Sequence, residues 1–258
     1  MKFLHSLFPS RLKSIDKSEP LSTVHPVKAN KSPAMQGVNA YWKELSETEI
    51  DRGRHRSWVG GYWDELGNLQ YRFLEERGLL PQHKLLDIGC GSLRGGIHFI
   101  QYLNAGNYFG LDVNSSLIKA GQKELIAANI LDKDPVLLVN DKFEFSNFGT
   151  SFDYALAFSV FTHLFLNHIG RCLLEVAQVL KPNGMFFATF FEAPTSVYID
   201  RIEHELGGTT TNYDLDPFHY SVEEISVVAN KVGLSAELVK DWIHPRGQKM
   251  LKFKHQSN

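Results

Sequence analysis

The chain has 258 residues, 43% apolar and 22% charged, an ordinary globular composition that excludes wholesale disorder and leaves room for one large domain with a substantial core. Its 27 Lys/Arg nearly balance 29 Asp/Glu, a net charge of −2, so nothing electrostatic recommends nucleic acid or an anionic membrane as a partner. Two cysteines, Cys90 and Cys172, cannot build a disulfide framework and fit a cytoplasmic protein, and no apolar run reaches membrane-spanning length.

Residues 1–36 hold six Lys/Arg, four Pro and only two acidic residues. Phe3, Leu4, Leu7 and Phe8 are interrupted by His5 and Ser6 and stopped by Pro9, too short for a signal peptide. This stretch reads as a disordered basic tail, and residues 37–258 as one domain. Tyr41, Trp42 and Leu45 suggest a short helix, followed by a charged loop ending at Gly60-Gly61. Tyr62, Leu66, Leu69 and Phe73 then follow at helical spacing, with Gly78 and Pro81 as the stop. Residues 85–88 and 108–111 are short strands, separated by the helical spacing of Leu93, Ile97 and Ile100. Asn114 caps a helix reaching about Ala128. Residues 136–139 and 152–158 are the third and fourth strands. A helix marked by Leu166, Ile169, Leu173, Val176 and Leu180 ends in the turn Lys181-Pro-Asn-Gly184. Residues 185–191 are apolar throughout, as a strand covered on both faces should be. An irregular stretch, a helix over 222–232 and two last strands, 236–242 and 249–253, complete the chain.

Alternating strands and helices of these lengths imply right-handed crossovers and a doubly wound α/β fold with a mostly parallel sheet. Ligands of such sheets sit at the carboxyl ends of the strands. The chemistry therefore belongs to residues 87–91, Asp112, 140–142, 159–163 and Glu192.

The run Asp87-Ile-Gly-Cys-Gly91-Ser-Leu-Arg-Gly95-Gly96 follows a strand and opens a helix. A dinucleotide loop needs Gly or Ala where Arg94 stands, and a carboxylate two places before its first glycine would repel a pyrophosphate. That carboxylate suits a ligand carrying positive charge, such as an amino group or a sulfonium.

Here the sequence resembles the class I S-adenosylmethionine-dependent methyltransferases. Residues 85–91 look like their first motif, Gly110-Leu-Asp112-Val-Asn their second, and Phe152-Asp-Tyr-Ala-Leu their fourth-strand motif. Leu180-Lys-Pro-Asn-Gly184 resembles the turn into their fifth strand, and Asn140-Asp141 lies where an adenine-contacting acid is expected. The resemblance implies a Rossmann-like sheet of seven strands, the last antiparallel, and S-adenosyl-L-methionine as cofactor. It also implies roles. Asp87 would orient the methionine amino group, and Gly89 and Gly91 would pass beneath methionine and ribose. Asp112 would accept from both ribose hydroxyls. Asp141 would accept from the adenine amino group, with the Lys142 N–H at the ring edge and Phe143 beside it. Cys90, Val113, Asn140 and Ser159 would complete the wall.

The methyl acceptor is expected to be a small molecule or a sugar-type compound, methylated on oxygen or nitrogen. If a general base is needed, His163, just after strand four, is the best-placed candidate and His219 the second. No Cys or His spacing suggests a metal site. Segments 37–61 and 192–221 fall outside the core pattern and are expected to form a lid and acceptor pocket. Two other readings stay open: a nicotinamide-dependent oxidoreductase, and a non-catalytic, cofactor-binding member of the fold.

Overall fold

The computed structural model describes residues 40–256; the expected tail, 1–36, lies outside them. A 3-10 turn at Ala40–Trp42 leads to helix α1 (Glu47–Asp51). Ser46 caps this helix and Glu49 reaches back to the Ser46 N–H, a reciprocal capping box. The stretch expected as a charged loop instead holds a second short helix, α2 (Arg54–Trp58), which starts behind Gly53 at φ 74°.

Helix α3 (Trp63–Glu76) buries Leu66, Gln70, Phe73 and Leu74 on one stripe. It ends as its sequence requires. Gly78 takes φ 90°, its N–H donates to the Glu75 carbonyl, and the Leu79 N–H donates to the Leu74 carbonyl. Those two bonds satisfy carbonyls that the last turn leaves open. Strand β1 (Leu85–Ile88), helix α4 (Gly96–Tyr102), strand β2 (Tyr108–Asp112), helix α5 (Ser115–Ala127) and strand β3 (Val136–Val139) follow. As expected, Asn114 caps α5, accepting from the Ser116 and Leu117 N–H groups.

Strand β4 (Phe152–Ala157) and helix α6 (Leu166–Val179) lead into strand β5 (Leu180–Glu192). The expected turn at 181–184 lies within β5. Phe152 pairs with Leu180 and Tyr154 with Met185, so the intervening residues bulge out of register. The stretch after β5 is more ordered than its sequence suggests. It holds the hairpin of β6 (Ile202–Glu203) and β7 (Thr210–Thr211), then β8 (His219–Tyr220), which pairs in parallel with the end of β5. Helix α7 (Val222–Lys231) opens on a Ser221–Glu224 capping box, and β9 (Leu234–Leu238) and β10 (Lys249–His255) close the fold. Strand β9 stops at Leu238, short of the expected Trp242. The Trp242 indole N–H instead donates to the Gln248 carbonyl across the β9–β10 loop.

The main sheet runs β3-β2-β1-β4-β5-β10-β9, with β10 antiparallel to both neighbours. Alternate residues of each strand feed two cores. Leu86, Ala155, Phe186 and Leu251 pack under α6 and α7; Leu85, Leu156, Phe187 and Met250 pack under α3, α4 and α5. The order reverses at β1, whose neighbours are β2 and β4. The crossovers on either side diverge there and open a crevice at the strands' carboxyl ends. Among the described residues no helix is long and apolar enough to cross a membrane.

Candidate active site

An open cleft occupies that crevice. Its floor is the loop after β1. Gly89 (φ 69°) and Gly91 (φ 54°) hold left-handed backbone that other residues rarely adopt. A Cβ on Gly89 would also lie 2.5 Å from Val160 Cγ2, and one on Gly91 3.0 Å from Val59 Cγ1. The Gly89 and Cys90 N–H groups both donate to the Leu111 carbonyl, tying this loop to β2. Cys90 is buried and its thiol pKa is pushed well up, chiefly by burial, so it is no nucleophile.

Two carboxylates end consecutive strands at the cleft. Asp112 accepts from the Gly91 N–H at 2.9 Å through Oδ2 and from the Asn114 N–H at 2.8 Å through Oδ1. Each oxygen retains a second lone pair, enough for a pair of vicinal hydroxyls. Asp87 is 3% exposed and accepts from the Tyr108 hydroxyl at 2.6 Å. Burial pushes Asp87 up to about 7 and Asp112 up to about 6, against partial relief from those hydrogen bonds. Two poorly solvated carboxylates in one cleft favour a ligand that brings a cation and hydroxyl donors.

The sequence-expected wall divides. Asp87, Gly89, Cys90, Gly91, Asp112, Val113, Asn140, Phe143, Ser159 and His163 all line the cleft. Asp141 and Lys142 do not. Asn140 folds its own loop: Oδ1 accepts from the Lys142 and Glu144 N–H groups at 2.9 and 3.1 Å, so the Lys142 N–H is turned onto Asn140 and not onto a ring edge. Ser159 (φ 59°) donates its N–H to Thr189 Oγ1 and its hydroxyl to Gln248 Oε1.

The two histidines separate as well. His163 Nδ1 lies 2.5 Å from Asp216 Oδ1, and its ring packs edge-on against Tyr41 at 4.7 Å. A neutral His163 so held carries its proton on Nδ1, leaving Nε2 the basic nitrogen. His219 is 1% exposed and outside the cleft lining, with Nδ1 on Thr211 Oγ1 and Nε2 on the Tyr198 carbonyl. It braces the β6–β8 segment.

Of the two segments expected to cover the site, the first supplies Tyr41, Trp42 and Val59 to the cleft wall. It is tied to α5: Asn114 Nδ2 donates to the Tyr41 and Lys43 carbonyls, the Leu45 N–H donates to Ser116 Oγ, and Glu124 binds both His55 and Arg56. The second, 192–221, lines none of the cleft and reaches it through Asp216, against His163. Sequence reasoning missed Asp216, which stands 53 positions from its partner with no spacing to betray it. It also passed over Gln70 and Arg94 as site residues, though both line the cleft. Arg94 was visible as the residue displacing a third glycine.

A family profile described as a methyltransferase domain matches residues 86–186, the span from β1 into β5 that carries Asp87, Asp112 and His163. The strand order and the antiparallel β10, which a dinucleotide-binding sheet lacks, agree with this match. Residues 86–186 are similar to a methyltransferase domain. A ubiquinone/menaquinone biosynthesis C-methyltransferase, UbiE, from Brucella canis is 27% identical over 138 residues, half of each chain. The chain thus spans about half the length of the curated relatives it matches. Among solved structures, the magnesium protoporphyrin IX methyltransferase of Synechocystis, bound to SAH, aligns with TM-score 0.58 at 16% identity, over 81% of this chain and 95% of that one. The sugar N-methyltransferase KedS8 of a Streptoalloteichus species aligns with TM-score 0.56 at 18% identity, over 85% and 97%. At such identities these likenesses speak for the fold alone.

Proposed function

We propose that the protein transfers a methyl group from S-adenosylmethionine to an oxygen or nitrogen of a small-molecule acceptor. The observation that carries this reading is the pair of buried carboxylates, Asp87 and Asp112, on a glycine-floored loop at the reversal of strand order. When bound, the cofactor supplies an activated methyl group with a neutral thioether as leaving group. The chain's own work is to bind, orient and dry the reacting groups. Asp112 is suited to both ribose hydroxyls, and Asp87 to the ammonium group. Phe143, buried at the β3 end, is suited to the base, while Tyr41, Trp42 and Val59 shield the cleft from water.

His163 is suited to take the proton from an acceptor hydroxyl or ammonium. Asp216 holds Nδ1 so that Nε2 receives it, and stabilises the imidazolium that results. The nicotinamide reading is disfavoured by Asp87, which would face a pyrophosphate, and by Arg94 in the third glycine position. Calorimetry with S-adenosylhomocysteine and with NAD tests the choice: the reading requires saturable binding of the first and none of the second. Binding of NAD alone would refute it.

A further inference from the structure

Two arginines, one lining the cleft and one near enough to repel it, make no ion pair with a carboxylate among the described residues. Arg94 lines the cleft and is 8% exposed. Its Nη1 donates to the Val59 and Gly61 carbonyls at 2.8 and 3.0 Å, its Nε is buried with no partner, and its plane lies 5.7 Å from the Phe158 ring centre. Arg246 binds the Gly60 carbonyl and covers the Tyr62 ring. Burial, and then Arg246, push Arg94 down to about 10, so the two cations feel each other. Asp87 acts on Arg94 from a distance, without an ion pair, and a ligand anion would relieve a buried cation so weakly countered.

A third donor joins them. His244 is 2% exposed and lies 5.3 Å from the Phe158 ring. Its Nδ1 accepts the Arg246 N–H at 3.0 Å, so a neutral ring carries its proton on Nε2, a buried donor with no partner. Burial and the two arginines hold His244 down at about 3, which keeps it neutral.

The topology says which ligand these groups meet. Asp87, Asp112 and Asn140 end β1 and β2 and follow β3, on the cofactor's half of the crevice. Phe158 follows β4, and the 239–248 loop carrying His244 and Arg246 reaches the carboxyl end of β5, since Lys249 pairs with Phe190. That is the half left to the acceptor, and Arg94, which comes from the loop after β1, reaches it at the Phe158 ring. We propose that Arg94, Arg246 and His244 form an oxyanion subsite that holds a carboxylate or phosphate group on the methyl acceptor. The inference rests on the methyltransferase reading and narrows it to acidic acceptors.

The test titrates inorganic phosphate, and separately benzoate, into the S-adenosylhomocysteine-loaded protein while following the Arg Nε–H and Trp indole signals by NMR. Saturable shifts are expected, weakened about tenfold in Arg246→Gln and kept in Arg246→Lys, with S-adenosylhomocysteine affinity unchanged throughout. Three results overturn the proposal. Neither anion shifts the signals. Or Arg246→Gln binds the anions as wild type does, and the arginines serve only to pin the 59–61 carbonyls. Or Arg246→Gln weakens S-adenosylhomocysteine but not methylthioadenosine, which lacks the amino-acid part, and the anion is the cofactor's own. Failure of wild type to bind S-adenosylhomocysteine sinks the methyltransferase reading instead, and titration of the ligand-free protein still tests the subsite.

Discussion

Replacing Asp87 by Asn should make the ligand-free protein more stable and the cofactor complex weaker. In the folded chain burial raises this carboxyl from 3.8 to about 7, so the folded state prefers it protonated. A raised carboxyl pKa means that folding takes up a proton between those two values, and stability falls as pH climbs through that window. Above pH 7 the full penalty applies, about 4 kcal/mol as an upper bound at 1.36 kcal/mol per pH unit. At pH 5 only the part above 3.8 has accrued, under about 2 kcal/mol. The amide introduced by Asp87→Asn keeps an acceptor for the Tyr108 hydroxyl and carries no charge to desolvate. Urea unfolding at pH 5 and pH 8 without cofactor should therefore show a gain for Asp87→Asn that grows with pH. Calorimetry on wild type should show S-adenosylhomocysteine affinity rising toward pH 8 as the carboxylate forms, with that slope diminished in the variant. A stability gain that is equal at both pH values, or a loss at pH 8, would refute the assignment of a desolvated carboxylate at this position.

Asp112→Ala should cost about 2–4 kcal/mol of S-adenosylhomocysteine affinity, since it removes two charge-assisted bonds to ribose; unchanged calorimetric affinity would clear Asp112 of that role. With a substrate in hand, His163→Ala should slow single-turnover methyl transfer about a hundredfold while leaving cofactor affinity near wild type. Asp216→Asn should also lower the rate, by less, because the amide oxygen can still accept from Nδ1 and orient the ring; an unchanged rate would count against the dyad. His219→Ala should lower thermal stability, since its ring joins Thr211 to the Tyr198 carbonyl, with turnover of the folded fraction preserved.

What the sequence could and could not convey divides along the range of the interactions. Helix α3 and its stop at Gly78, the Asn114 cap and the loop 87–91 are local devices, each written within a few residues, and each stands where its pattern predicts. The 181–184 bulge carries the same Pro-Asn-Gly turn chemistry as a free turn, but β4 alongside keeps the chain in the sheet on both sides of it. Residues 236–242 read as strand, yet β9 ends at Leu238 and the Trp242 indole bonds the Gln248 carbonyl across the loop beyond it. Asn140 reads as the neighbour of an adenine-contacting acid; its side chain instead closes a tight loop that turns Lys142 away. Asp216 and the Arg94–Arg246 pair are the long-range cases. Each residue is ordinary in its own segment, and only the closed sheet brings them together.

Asn114 shows how the cofactor half and the roof are built as one object. Its N–H donates to Asp112, its Oδ1 caps α5, and its Nδ2 holds the Tyr41 and Lys43 carbonyls. One side chain that is 1% exposed therefore connects the proposed ribose carboxylate with the segment that carries Tyr41, Trp42 and Val59 over the cleft. Tyr41 in turn packs on His163, which Asp216 holds from beyond β7. A shift at Asp112 cannot be absorbed locally, because Asn114 has no spare bond with which to let the roof stay put. Cofactor binding at Asp112 should thus be felt at the wall that carries Tyr41, Trp42 and Val59, and through Tyr41 at His163.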